Sequence, residues 1–178
     1  MLIIKQLDSI DLNAHVQLCA LLTDCIEQGA SLGFHDPANL DTVQQYWQSV
    51  AQAIINKERQ LFALFQGETL VATVQLSLCI KENGQHRAEV KKLLVHPNTQ
   101  RTGYATILMR HIEQSASQNK RTLLVLDTQS GDKAELFYQA IGYTKAGQIP
   151  CYVSDKHGQL HSTSYYYKYL DSDGLQQM

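Results

Sequence analysis

Val90-Lys91-Lys92-Leu93-Leu94-Val95-His96-Pro97-Asn98-Thr99-Gln100-Arg101-Thr102-Gly103-Tyr104-Ala105 reads as four consecutive pieces. An apolar-rich strand comes first, then a proline-marked turn, then a Gln/Arg/Gly loop, then the first turn of an amphipathic helix. A helix start carries unpaired N–H donors and a partial positive charge, so it suits a phosphate. Arg101 adds a full charge beside them. The loop has neither the Gly-Lys-Ser/Thr ending of an ATP-type loop nor the three glycines of a dinucleotide fingerprint. The phosphate it suits is therefore the pyrophosphate of some other carrier.

Outward from this loop the periodicity changes element by element. Residues 2–7 read as a short strand. A helix over 12–28 follows, with Leu12, Val16, Cys19, Leu22 and Ile26 at helical spacing, Asp11 as its cap and Gly29 as its stop. A second helix over 39–57 carries Val43, Tyr46, Trp47, Val50 and Ile54 on one face. Strand 60–66 turns at Gln66-Gly67-Glu68 into a strand whose Leu70, Ala72, Val74, Leu76, Leu78 and Ile80 alternate inward. Asn83-Gly84 marks a hairpin turn, and strand 87–95 pairs back. The helix after the loop aligns Ala105, Leu108, Met109, Ile112 and Ala116. The run Leu123-Leu124-Val125-Leu126 suits a strand buried on both faces, hence parallel pairing. A short helix over 132–141, a strand 143–146, a loop 147–159 and a tyrosine-rich strand 162–169 complete the chain. The expected architecture is a mixed α/β (α+β) sheet, mostly antiparallel, with one parallel pair made by a helical crossover and helices on both faces.

At 178 residues the natural division is a single domain over 1–170 and a frayed tail over 171–178. A formal net charge of -2 speaks against a basic protein wrapped on nucleic acid. No run approaches a membrane span. Cys19, Cys25, Cys79 and Cys151 form no Cys-x-x-Cys pair and no zinc spacing with histidine, so no metal is expected. Cys19 and Cys79 fall on apolar faces, as small hydrophobes do. These features predict a reduced, cytoplasmic protein.

Gln100-Arg101-Thr102-Gly103-Tyr104-Ala105 resembles the Gln/Arg-x-x-Gly-x-Gly/Ala signature of the GNAT acetyltransferases. Ala134-x-x-Phe137-Tyr138-x-x-x-Gly142-Tyr143 is similar to the family's second signature. The element order also resembles that fold over nearly the whole chain. Four further segments resemble tabtoxin-resistance-like acetyltransferases: Gly29 to Phe34, Leu126-Asp127-Thr128, Gly147 to Tyr152, and Thr163 through Lys168. Cys151 and Val153 depart from that subgroup, which more often has an acidic or small residue and alanine there. The resemblance implies a GNAT-like acyl-CoA N-acyltransferase fold with a splayed parallel strand pair, acetyl-CoA as cosubstrate and a small-molecule amine as acceptor. The protein would be a monomer or a homodimer, its tyrosine-rich final strand being a candidate dimer edge.

Several residues are implied as the site. Gln100, Arg101, Thr102, Gly103, Tyr104, Ala105 and Thr106 would hold the pyrophosphate. Backbone at Leu93, Leu94 and Val95 would meet the thioester, while their side chains are core. Tyr138 is the candidate general acid, since a phenol with pKa about 10 can protonate a departing thiolate; packing on a helix face is the competing reading. Asp127 ends a central strand and either anchors the acceptor ammonium and relays its proton or caps the loop after it. Glu89 is the alternative base, or a surface partner of Lys91 or Arg87. Phe34, Trp47, Ile149 and Tyr152 could wall the acceptor pocket, with core packing favoured for Trp47. Cys151 is the cysteine expected near that pocket. Lys91, Lys92, Arg101 and Arg110 form a basic cluster in sequence, and His96, His111 and His161 have no evident partner. A non-catalytic CoA-binding or protein-docking module is the alternative from another class; the polar residues Tyr138, Asp127 and Glu89 favour an enzyme.

Overall fold

Asp11 accepts from the Ala14 amide at 2.7 Å and starts helix α1, Leu12–Glu27. Asn39 does the same for Thr42 and starts α2, Leu40–Ile55. Such caps satisfy amides that a helix start leaves without partners. The computed structural model describes residues 1–35 and 39–170, and the expected tail lies outside them. Strands β1 (Leu2–Gln6), β2 (Arg59–Gln66), β3 (Thr69–Leu78) and β4 (Arg87–Val95) form an antiparallel meander. Helix α3 (Tyr104–Gln118) crosses to β5 (Leu123–Gln129), and α4 (Lys133–Ala140) precedes β6 (Thr144–Ser154) and β7 (Leu160–Tyr169). The sheet order is β1-β2-β3-β4-β5-β7-β6, with β4–β5 its parallel pair.

The two faces carry separate cores. Helices α1 and α2 pack Leu18, Leu22, Val43, Trp47 and Val50 against Leu61, Ala63 and Leu94. Helices α3 and α4 pack Leu108, Met109, Ile112 and Tyr138 against Phe62, Leu76, Leu124 and Tyr166. Each aliphatic side chain fully buried in this way contributes roughly 1.5–3 kcal/mol. Trp47 is fully buried, so it belongs to the core and not to a pocket wall.

Several expectations need correction. The buried stripe of α1 is Leu18, Leu21, Leu22, Cys25 and Ile26, while Leu12 and Val16 are exposed. Strand β3 does not alternate, because helices cover both faces: Thr73 and Gln75 are as buried as Val74 and Leu76. Their polar atoms are satisfied by bonds from Thr73 Oγ1 to the Phe62 carbonyl and between Gln75 and Tyr46. Ile80 lies beyond β3 and is exposed. The 81–85 segment holds a 3-10 turn over Glu82–Gly84, where Gly84 lies so close to Cys79 Sγ that a Cβ would come within 2.5 Å. Strand β5 is only half-sheltered at Leu123 and Val125, since it pairs with β4 over three residues alone.

The largest departure is the 147–159 loop, most of which is strand. β6 runs to Ser154 as the outer edge of the sheet, exposed from Thr144 to Tyr152. Exposure on both faces removes the alternation that marks a strand. Gly147 and Pro150 add turn-like composition, register shifts interrupt its pairing twice, and Cys151 has a left-handed φ of 55°. The tyrosine-rich β7 lies inside the sheet between β5 and β6, so it is no dimer edge.

The α4 end is tied to the sheet by Glu135. It accepts from the Gly131 amide at 2.7 Å, Lys145 Nζ at 3.0 Å and the Tyr166 hydroxyl at 3.0 Å. Hydrogen bonding, first from Ser164 and then from Gly131, holds its carboxyl at about 2. A folded pKa below the unfolded value means stability that is present above about pH 4.5 and lost as pH falls through about 2. Glu135→Gln should therefore cost roughly 1–2 kcal/mol at neutral pH. Urea unfolding should show that difference from wild type shrinking between pH 5 and about 2.

Candidate active site

Two local devices build an opening in the sheet. β4 and β5 pair only from Arg87↔Leu123 to Glu89↔Val125, although both strands continue beyond. One edge of Val90–Val95 is thus left without a strand partner on that side. The divergence coincides with a bulge in β4, where the β3 register jumps from Thr73↔Leu94 to Gln75↔Lys91 and Lys92 takes φ 46°. An extra residue in one strand sharpens its twist and turns it from its neighbour.

The second device is the loop after β4. His96 accepts from the Asn98 amide and sits 3.3 Å from Asp24 on α1, so it has a partner that sequence spacing could not reveal. Thr102 Oγ1 donates to the Thr99 carbonyl at 2.6 Å. Arg101 (φ 62°) and Gly103 (φ 87°) then turn the chain left-handed into α3. α1, α2 and α4 each have a side-chain cap, whereas no side chain caps α3. The first intrahelical bond runs from Ile107 N to Gly103 O, so the amides before Ile107 have no helical acceptor. That bare helix start opens into a cleft of about 550 Å³.

Leu93, Leu94, Val95, Gln100, Arg101, Gly103, Tyr104, Ala105 and Thr106 all line this cleft; Thr102 does not. The opposite wall comes from α1 and the segment after it: Cys25, Gln28, Gly29, Ala30 and Leu32. Asp132, Lys133, Ala134 and Phe137 close it from α4. Gly29, Ala30, Leu32, Ala134 and Phe137 entered the sequence reading only within resembling segments, and Cys25, Gln28, Asp132 and Lys133 not as site residues, because only the sheet brings these walls to the loop. Cys25 lines this cleft, while Cys151, expected beside the acceptor pocket, is exposed on β6. Burial pushes the Cys25 thiol up to about 11, and Sγ donates to the Val95 carbonyl at 3.6 Å.

Asp127, Glu89, Tyr138, Phe34 and Tyr152 stand outside that volume. Glu89 pairs in register with Val125, and Asp127 lies two residues further along β5, so both carboxylates share the α1–α2 face. Glu89 is engaged by Lys91 at 2.9 Å. Asp127 opens to solvent at its tip and accepts from no other described residue. Partial desolvation, with the nearby Glu89 charge, raises its carboxyl.

Tyr138 is buried on the opposite face against Tyr143 and Tyr166. Its hydroxyl bonds to no described residue, and burial followed by the Asp127 charge pushes its pKa well up. Phe34 meets Tyr46 edge-on at 5.6 Å, and Tyr152 meets Tyr165 edge-on at 6.0 Å. Hydrogen bonding with Tyr152 pushes the Tyr165 phenol up to about 12. Ile149 is exposed on β6. His161 faces Asp155 at 3.2 Å, and His111 packs edge-on against Phe62.

Lys92, which the sequence places only in a basic cluster with Lys91, Arg101 and Arg110, parts from them in the structure. The bulge turns it inward, where Nζ donates to the Leu32 carbonyl and stands 5.5 Å from both the Phe34 and Tyr46 rings. His35 Nε2 lies 2.9 Å from the Ser154 carbonyl. The segment after α1 is therefore fastened both to β4 and to β6. Among the described residues, no cluster of three or more His, Cys, Asp or Glu could hold a metal ion, and no helix is long and apolar enough to cross a membrane.

A model of the acetyltransferase (GNAT) domain family matches residues 21–152, and the chain belongs to that family. Solved structures agree on the fold. An N-acetyltransferase of Staphylococcus aureus Mu50 superposes with a TM-score of 0.79 at 14% identity, covering 96% of this chain and 99% of that one. The ribosomal-protein-S18-alanine N-acetyltransferase of Escherichia coli gives 0.72 at 16%, covering 100% and 99%. A putative acetyltransferase of Salmonella typhimurium, solved with its cofactor acetyl-CoA, gives 0.76 at 13%, covering 99% and 98%.

Proposed function

We propose that this protein is an acetyl-CoA-dependent N-acetyltransferase acting on a primary amine of a small molecule by direct attack in a ternary complex. The observation that carries this reading is the uncapped start of α3 at one end of a cleft whose floor is the unpaired edge of β4. Amides of Arg101 to Thr106 would bind the diphosphate, with the Arg101 charge and the polar side chain of Gln100 beside it. Thr102 acts on the loop's shape through Thr99. The pantetheine would run along Leu93–Val95, where one backbone N–H could meet the developing oxyanion, a contact contributing about 3–4 kcal/mol when well placed.

Of the two carboxylates, Asp127 suits proton relay from the acceptor ammonium better, because Lys91 already engages Glu89. Its raised pKa brings it nearer to the range a base needs. Tyr138 would return a proton to the CoA thiolate. Phe34 and Tyr152 flank the carboxylate face as acceptor walls. A cysteine-linked intermediate is disfavoured: a Cys25 thiol at about 11 supplies almost no thiolate at neutral pH, and Cys151 lies outside the cleft. The segments similar to tabtoxin-resistance-like acetyltransferases support a small acceptor. Four free cysteines support a reduced, cytoplasmic setting, and the protein would work as a monomer or homodimer.

Acetyl-CoA should raise the melting temperature in a saturable way, as a native-state ligand must. Thiol release across an amine panel should then reveal turnover. No thermal shift would remove the cofactor assignment. A shift without thiol release from any amine would instead make the chain a non-catalytic CoA-binding module.

A further inference from the structure

A lysine on a strand ordinarily reaches water. Lys92 is instead half-buried, because its bulge, with φ 46°, sends it beneath the segment that follows α1. Gly33 lies so near that an added Cβ would stand 3.8 Å from Nζ. Of its three ammonium donors, the Leu32 carbonyl takes one. The aromatic faces of Phe34 and Tyr46 supply part of the remaining compensation. No carboxylate comes within ion-pair reach of Nζ among the described residues. Across the opening and on the same face of the sheet, Asp127 is exposed and has no cationic partner in contact among the described residues. A half-buried cation and an open carboxylate on one face, neither ion-paired among the described residues, each leave a charge for a ligand to engage. A molecule bearing both charges in the reverse order satisfies the two at once.

We infer that the acceptor is an amine bearing a nearby carboxylate, as in α-amino acids, and that Lys92 binds that carboxylate while Asp127 faces the ammonium. This rests on the transferase reading above and narrows its acceptor class. It excludes polyamines, whose second cation would meet Lys92. Leu32 carries the same lysine's hydrogen bond and also lines the cofactor cleft, so the carboxylate pocket adjoins the thioester's path.

The test is steady-state thiol release at saturating acetyl-CoA, with each standard α-amino acid paired with its own α-carboxamide. For the accepted side chain, the carboxylate member should have the larger kcat/KM by about 10- to 100-fold, the range for a charge-assisted contact. Lys92→Met should erase that preference by raising KM for the carboxylate member far more than for the carboxamide. Lys92→Gln keeps a donor for Leu32 without the charge and should behave likewise, whereas Lys92→Arg should keep part of the preference. Equal kcat/KM for the two members in wild type overturns the inference, and so does an equal loss on both in Lys92→Gln, which marks a purely structural lysine. Should Lys92→Met fail to fold, the wild-type pair comparison and Lys92→Gln still decide. Absence of thiol release from every amine would instead bring down the transferase reading, and this inference with it.

Discussion

Tyr138→Phe should lower kcat by about 100-fold or more while leaving acetyl-CoA affinity unchanged, since a positioned general acid contributes 10²–10⁴-fold. The ring itself is packed, with Phe137 at 5.4 Å and Tyr143 at 5.8 Å, and phenylalanine keeps those contacts. Only the hydroxyl is lost, and it bonds to no described residue whose desolvation would confuse the result. Burial and the Asp127 charge both disfavour the phenolate, so the proton is in place throughout the physiological range. A CoA thiolate, whose thiol ordinarily ionises near 8.5, is the natural recipient. Stopped-flow or thiol-release kinetics alongside cofactor titration separates the two quantities. An unchanged kcat would assign Tyr138 to packing alone.

Gly103→Val should weaken acetyl-CoA binding by about 100-fold or more, with the fold retained. Space is not the obstacle, since a Cβ at Gly103 meets nothing within 4 Å. The obstacle is φ 87°, a conformation that costs a β-branched residue more than alanine and glycine nothing. Holding the native turn would cost roughly 1–2 kcal/mol; relaxing it re-aims the uncapped amides of α3 that the diphosphate needs. Gly103→Ala should fall between wild type and valine. Calorimetric titration with acetyl-CoA reads the affinity, and thermal unfolding of the apo-protein reads the fold. Undiminished affinity in the valine variant would place the diphosphate elsewhere.

These two residues became candidates through short motifs, which are local signals. Gly103 sits in a strand–loop–helix whose three periodicities are all visible in sequence, whereas Tyr138 was singled out only by the resemblance of Ala134 to Tyr143 to the family's second signature. The cap at Asp11, the α3 stripe and the strand 87–95 follow from the same nearest-neighbour chemistry. The acceptor side was not legible in the same way. Lys92 stood only as one member of a basic cluster, because its inward turn depends on a register jump against β3, which no spacing along one strand records. Cys25 and the segment Gln28–Leu32 reach the cleft only because α1 crosses the sheet above β4. Gln75 and Thr73 read as outward-facing since their burial is imposed by helices distant in sequence. Even the partner of His96 lies on α1, some seventy residues away in the chain.

β6 has a consequence for life in a crowded solution. An eleven-residue ribbon at the rim of a sheet invites another molecule to dock edge to edge and start an aggregate. Here Pro150 offers no N–H, two slips of register break the spacing, and Cys151 twists the backbone out of line. A foreign strand would find no continuous row of donors and acceptors, so the protein can expose this ribbon without inviting its own copies to stack on it.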